Sequence, residues 1–309
     1  MKQHLQIALD HEPLAWINGV VYSNRPAWYN VTARALHMDL IVPKERPHHA
    51  PQPAVLFLCG GAYMVMDRSI WLPELMALAR AGYTVASMEY RTSNEAAFPA
   101  ALEDVKTAIR FLRAHAEEYC VDPARIFLMG ESAGGTLACL GGVTAGLAEF
   151  DRGDWPEQSS AVQGVVDFYG LTDLEHAPCV TGPGALAEWT VPAFLGAYAP
   201  AGAAARASAI RYISRSTPPF FIVHGSADPL VPIAQSERFY ELLTQNGVDA
   251  EYYILDGGSH GTGEFSQSNI MERVTAFLDR LFYSAGSKLA HKPAAVVVSA
   301  RRSGTTAAF

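Results

Sequence analysis

Arg125-Ile126-Phe127-Leu128-Met129-Gly130-Glu131-Ser132-Ala133-Gly134-Gly135 decides the fold. The first five residues form an apolar run of strand length, and Ser132 to Ala145 reads as a helix rich in small residues. Between them stands Gly-x-Ser-x-Gly, a sharp strand-to-helix turn that lifts a serine hydroxyl above a sheet. Working outward, Ala54 to Cys59 is a continuous apolar run ending at Gly60-Gly61, the pattern of a central parallel strand buried on both faces. Further strands are expected at Tyr83 to Met88, Val162 to Tyr169, Phe220 to His224 and Ala250 to Leu255. Helices are expected at Trp71 to Ala81, from Pro99 through Leu112, and at Asn269 to Tyr283. The alternation gives an α/β class with a mostly parallel central sheet flanked by helices.

Two regions break the alternation. Glu175 to Ser216 is rich in Ala, Gly and Pro, is long for a connection, and is expected to be a small cap insertion. Ser287 to Phe309 follows the last helix the fold needs, and is expected to be a disordered or non-native tail. Residues 1–286 then form one domain. The 309 residues are half hydrophobic and 17% charged, enough for a substantial core, and the net charge is -8. No Lys/Arg stripe is present to bind phosphates, so nucleic acid is excluded as a partner. No apolar run approaches the roughly 20 residues of a membrane span. Cys59, Cys120, Cys139 and Cys179 form no C-x-x-C pair. Buried reduced thiols and a cytoplasmic location are the expectation, with a polar N-terminus and no secretory segment. Oligomeric state is left open, a homodimer included.

A serine hydroxyl needs a base, and the base needs an orienting acid. Downstream, His224-Gly225-Ser226-Ala227-Asp228-Pro229-Leu230-Val231-Pro232 follows a strand and offers Asp228 just beyond its end. Asp256-Gly257-Gly258-Ser259-His260-Gly261 follows the next strand and offers His260 in a glycine-rich loop. The order Ser132, Asp228, His260 fits a strand-borne triad. Asp173 is a rival acid ranked lower because it comes one strand earlier. Asp256 belongs to its own loop, and His224 reads as a packed scaffold residue. Donors for a developing oxyanion are expected from the N–H groups of Ala133, Gly61 and Ala62. Glu131 adjoins the serine but points elsewhere, so a structural or surface role fits it. Tyr63, Glu131 and Trp189 are the residues expected near a substrate. Apolar residues at Trp16, Trp28, Tyr29, Met64, Met66 and Trp71 suggest a compact pocket. No metal and no organic cofactor is required.

These motifs resemble the bacterial hormone-sensitive-lipase-like and feruloyl-esterase-like branch of the α/β-hydrolases. The resemblance runs from Met38 to Tyr283 through Gly60-Gly61, Tyr90-Arg91, Phe98 to Ala101 with Asp104, Gly130 to Gly135, Asp167 to Gly170, Pro218-Pro219, His224 to Pro232 and Gly258 to Gly261. It implies the α/β-hydrolase fold and a serine carboxylesterase acting on a small-molecule ester, of short-chain or aromatic (feruloyl or acetyl) type. An amidase or aryl-formamidase with the same triad is the alternative, and a non-catalytic binding protein on the same fold is the other. One departure stands out. Where the family has His-Gly-Gly, this chain has Cys59-Gly60-Gly61. The family's histidine braces the oxyanion loop, and a thiol cannot make the same two hydrogen bonds. Cys59 as the nucleophile is disfavoured, because no histidine follows in the pattern such a site needs; a buried thiol is expected.

Overall fold

The computed structural model describes residues 1–9, 11–27, 30–46, 49–177 and 187–284, with the backbone alone described at 187–189 and 283–284. Eight strands form one sheet in the order β1-β2-β4-β3-β5-β6-β7-β8. They are β1 (Leu14–Ala27), β2 (Thr32–Pro43), β3 (Gln52–Leu58), β4 (Thr84–Met88), β5 (Val121–Glu131), β6 (Val165–Phe168), β7 (Phe220–Gly225) and β8 (Ala250–Leu255). Pairing is antiparallel for β1/β2 and β2/β4 and parallel from β4 through β8. This is the α/β-hydrolase fold. The helices are α1 (Leu72–Arg80), α2 (Ala100–Ala114), α3 (Ala133–Val143), α4 (Ala187–Leu195), α5 (Ala203–Arg206), α6 (Ala234–Gln245) and α7 (Ser268–Ser284). Among the described residues no helix is long and apolar enough to cross a membrane.

The strand alternation assigns each helix a side. Leu56 and Leu58 of β3 face one core with Leu128, Ile222, Leu102, Val105, Ile109, Leu137 and Phe239. Val55 and Phe57 face the other with Phe127, Met129, Phe221, Leu75, Leu78, Val274 and Phe277. So β3 is apolar and buried from Pro53 to Leu58 because it is covered on both faces. Each side chain of this size adds about 1.5–3 kcal/mol when removed from water.

The expected strands and helices at 54–59, 71–81, 83–88, 220–224, 250–255 and 269–283 lie within a residue or two of those observed, while β6 is shorter than Val162 to Tyr169. The β1–β2 hairpin and α6 were not expected. In β1 the pairing slips between Ile17 and Val20 and again between Val21 and Ser23. These bulges interrupt the period of two that marks a strand. Helix α6 buries only Phe239 and Leu243 as apolar residues, with Gln235 and Ser236 buried beside them. The segment from 175 to 216 contains α4, α5 and a short 3₁₀ turn at Ala209–Tyr212, with 178–186 outside the described residues. The proposed tail and Cys179 also lie outside them. Cys59, Cys120 and Cys139 are free and buried.

The register brings the C-terminal ends of the parallel strands to one edge. Leu58 lies opposite Gly130, Glu131 opposite Phe168, Phe168 opposite Val223, and Gly225 opposite Leu255. The loops that follow these residues therefore open on the same side, where parallel sheets hold their ligands.

Candidate active site

Ser132 sits at that edge with φ 54° and ψ -120°, a left-handed conformation that costs a non-glycine residue of order 1–3 kcal/mol. The turn holds because Gly130 and Gly134, two residues to either side, carry no Cβ. A Cβ on Gly134 would lie 2.0 Å from the Leu58 carbonyl oxygen, and one on Gly130 would lie 2.3 Å from the Gly134 oxygen. The Ser132 N–H donates to the Phe168 carbonyl at 2.9 Å, which ties the turn to β6. The strain thus fixes the hydroxyl above the sheet and beside the N-terminus of α3.

The structure brings Ser132, His260 and Asp228 into one line. Ser132 Oγ lies 2.8 Å from His260 Nε2, and His260 Nδ1 lies 2.7 Å from Asp228 Oδ2. The residues come from the ends of β5, β7 and β8, so the sheet register sets their spacing. The Asp228 side chain is fully buried, and its Oδ1 accepts the N–H groups of Leu230 and Val231 at 2.8 and 2.9 Å. Burial alone would raise its carboxyl. The hydrogen bonds from His224, His260 and Val231 outweigh that and hold it well below the usual carboxylate range. Asp228 is therefore a permanent anion at neutral pH, and the hydrogen from His260 Nδ1 is directed at it. That leaves Nε2 as the acceptor facing the serine.

His224 is fully buried, with Nδ1 2.7 Å from Ser236 Oγ and Nε2 2.9 Å from the Val231 carbonyl. Its Nε2 also approaches Asp228 Oδ2 at 3.4 Å. It supports the acid's loop, as its scaffold reading expected. The rival acid Asp173 is occupied elsewhere, with Oδ2 3.0 Å from His176 Nδ1 and Oδ1 receiving the N–H groups of Glu175 and His176. Asp256 is exposed in its turn.

A cavity of about 550 Å³ opens over the serine, and Ser132, His260, Gly61, Ala62 and Ala133 all line it. Among the described residues, no hydrogen bond engages the N–H of Gly61, Ala62 or Ala133. Ala62 and Tyr63 follow Gly61 with φ of 55° and 62°, so the turn is wound tightly beneath the cavity. Tyr63 is buried on its floor, its hydroxyl donating to Thr136 Oγ1 at 2.9 Å and its ring stacked on Phe194 at 4.1 Å. The rest of the wall is mostly apolar, from Met64, Val65, Leu171, Leu230 and Val231 with Thr190. Leu171, Leu230, Val231 and Thr190 were not anticipated. Leu230 and Val231 carried a signal, because they follow Asp228-Pro229 in the same loop. Trp189 precedes Thr190 in α4, but its side chain is not described.

Two expectations need correction. Trp16 is no part of a pocket; it lies on the edge strand β1, 58% exposed. Met66 and Trp71 line a second cavity of about 430 Å³ on the far side of the Gly60-Gly61 turn, so the apolar stretch after that turn serves two cavities. Trp28 and Tyr29 lie outside the described residues. Glu131 borders both cavities and is largely buried, and burial pushes its carboxyl up against the pull of the Gly60 N–H. Burial and the adjacent Glu131 push the Cys59 thiol up to about 12, so Cys59 stays neutral and is no nucleophile.

Comparison with known proteins agrees with this fold. The BD-FAE family model matches residues 38–243. The probable carboxylic ester hydrolase LipM of Mycobacterium tuberculosis is 31% identical over 70% of this chain and 51% of its own length. Esterase LipC of the same organism is 30% identical over 82% of this chain and 62% of its own. The chain thus spans between half and two thirds of the length of these curated relatives. Among solved structures, a truncated carbohydrate esterase from gut microbiota superposes with a TM-score of 0.73 at 28% identity, covering 89% of this chain and 98% of that one. A butyrate-bound esterase from Thermogutta terrifontis superposes at 0.69 with 22% identity over 92% and 97%, a likeness of fold. The family match across most of the sheet, together with the fold and the strand-end motifs, shows that this chain belongs to the BD-FAE family of α/β-hydrolases.

Proposed function

We propose that this protein is a serine carboxylesterase that works through an acyl-enzyme. The observation that carries the reading is the hydrogen-bonded line from Ser132 through His260 to the buried Asp228. His260 Nε2 takes the Ser132 proton as Oγ bonds to the ester carbonyl carbon. The carbonyl oxygen becomes an oxyanion held by the N–H groups of Gly61, Ala62 and Ala133. Asp228 orients His260 and stabilises its imidazolium form. The intermediate collapses as the carbon–alkoxide bond breaks and His260 gives its proton to the leaving alcohol. Water then repeats the sequence, with His260 as base, and the acid is released with Ser132 restored.

The matching relatives are named as ester hydrolases, which favours ester over amide cleavage. The mostly apolar cavity suits short or aromatic acyl groups, of acetyl or feruloyl type, and α4, whose Thr190 lines it, serves as part of a cap. We assign residues 1–286 to one hydrolase domain.

Steady-state rates on nitrophenyl esters of rising acyl length, beside a matched anilide, test this. Turnover should fall beyond short chains, favour the ester by at least an order of magnitude, and vanish in Ser132→Ala. A steady rise to long chains would remove the compact-cavity reading, and an anilide rate equal to the ester rate would replace esterase with amidase.

A further inference from the structure

The Gly60-Gly61 turn must hold two N–H groups in place, yet the residue that braces it in the resembling family is a cysteine here. Another group has taken its place. The Gly60 N–H and the Cys59 Sγ both point at Glu131 Oε1, the sulfur from 3.7 Å. The other oxygen, Oε2, accepts the Tyr169 hydroxyl at 3.3 Å. The ring of Tyr169 in turn meets His260 edge-on, with centroids 4.7 Å apart. The contact also explains why residue 60 is glycine. A Cβ there would lie 2.6–2.8 Å from the carboxyl atoms of Glu131. The Tyr90 hydroxyl donates to the Cys59 carbonyl at 2.7 Å and holds the same turn from below. A carboxyl group suits the task because it is an acceptor with two oxygens, and three donors from two separate segments converge on it. The titratable groups around it are the Cys59 thiol, the Tyr169 hydroxyl and the His260 ring.

We propose that Glu131 is the positioning residue of the oxyanion turn, replacing the family's histidine by clamping the Gly60 amide and joining it through Tyr169 to the His260 loop. The assignment rests on the esterase reading above. Glu131 touches no reacting atom. It fixes where the N–H groups of Gly61 and Ala62 lie when charge develops, so its loss acts on kcat and leaves KM nearly unchanged.

The test compares Glu131→Leu, Glu131→Gln, Gly60→Ala and the double variant Gly60→Ala/Glu131→Leu by steady-state kinetics, kcat and KM separately. Leucine fills the space without an acceptor and should lose roughly 100-fold in kcat, the scale of a misplaced oxyanion donor. Glutamine keeps the acceptor for Gly60 and should recover most of that loss, with KM unchanged in both variants. Gly60→Ala pushes the carboxyl away and should match the leucine variant, and the double variant should be little worse than either single one. Should the leucine variant fail to fold, Gly60→Ala and Glu131→Gln carry the comparison. A leucine variant within threefold of wild type, equal losses in the leucine and glutamine variants, or a double variant with the product of the single losses would each overturn the clamp alone. A wild-type protein without ester turnover would overturn the esterase reading and the clamp with it.

Discussion

Replacing Asp167 by asparagine should shift stability in the variant's favour as the pH rises through 6. Asp167 is fully buried on β6 behind the nucleophile turn. Its Oδ1 accepts the Gly170 N–H at 3.0 Å, while Oδ2 has no partner among the described residues. Burial raises its pKa from 3.8 to about 6, against the pull of the Gly170 N–H, His224 and Cys139. A raised acid pKa means that the folded state holds the proton more tightly than the unfolded chain. The resulting stability is fully present below pH 3.8 and is lost as the pH rises through 6. A rise of about 2 units corresponds to about 3 kcal/mol, the cost at pH 8 of keeping an anion there. Asparagine carries no charge at any pH and retains an oxygen for Gly170. The stability difference between Asp167→Asn and wild type should therefore climb by about 2.5 kcal/mol between pH 4 and pH 8, whatever constant offset the new amide group adds. Urea unfolding at pH 4, 5, 6, 7 and 8 would measure it, provided the two proteins share one m-value. A difference that stays flat across this range would refute the reasoning, because it would mean that Asp167 is not held protonated by burial.

Asp228→Asn should cut kcat by about 10³ to 10⁴, since an amide facing His260 favours the tautomer that cannot accept the serine proton. Asp228 has a lowered pKa, so its stabilising hydrogen bonds are complete above the ordinary carboxylate range and fade only in strong acid. The asparagine variant should consequently also melt lower than wild type at pH 7, which differential scanning calorimetry would show. Gly134→Ala places a methyl group 2.0 Å from the Leu58 carbonyl, in backbone that cannot yield. It should cost about 3 kcal/mol or more, visible as a lower melting temperature or lost soluble yield.

Most of the parallel sheet was legible in the sequence because burial on both faces leaves continuous apolar runs, as in β3 and β7. Ser132, Asp228 and His260, which the fold brings together, could be singled out because each follows a strand and sits among glycines or beside proline. The β1–β2 hairpin was not, because its outer strand is half solvent-exposed and twice bulged. Helix α6 hid behind a polar sequence whose two apolar core residues lie only four apart. The contacts of Glu131 were invisible for a different reason. Neighbouring side chains on a strand do point apart, as expected, but that rule says nothing about what lies on the other side. Gly60 is 71 residues away in sequence and reaches Glu131 only because β3 and β5 pair in register. The departure at Cys59 showed that a brace was missing, and only the fold could say which group supplies it.

The central claim is that Ser132 is a nucleophile activated by His260, and covalent labelling tests it most directly. A fluorophosphonate reacts with a serine only when a base removes its proton and donors stabilise the developing charge on phosphoryl oxygen. The folded wild-type protein should take up one equivalent, mapped by peptide mass spectrometry to Ser132, and His260→Ala should take up none. Labelling at another residue, or equal labelling of the His260→Ala variant, would contradict the account.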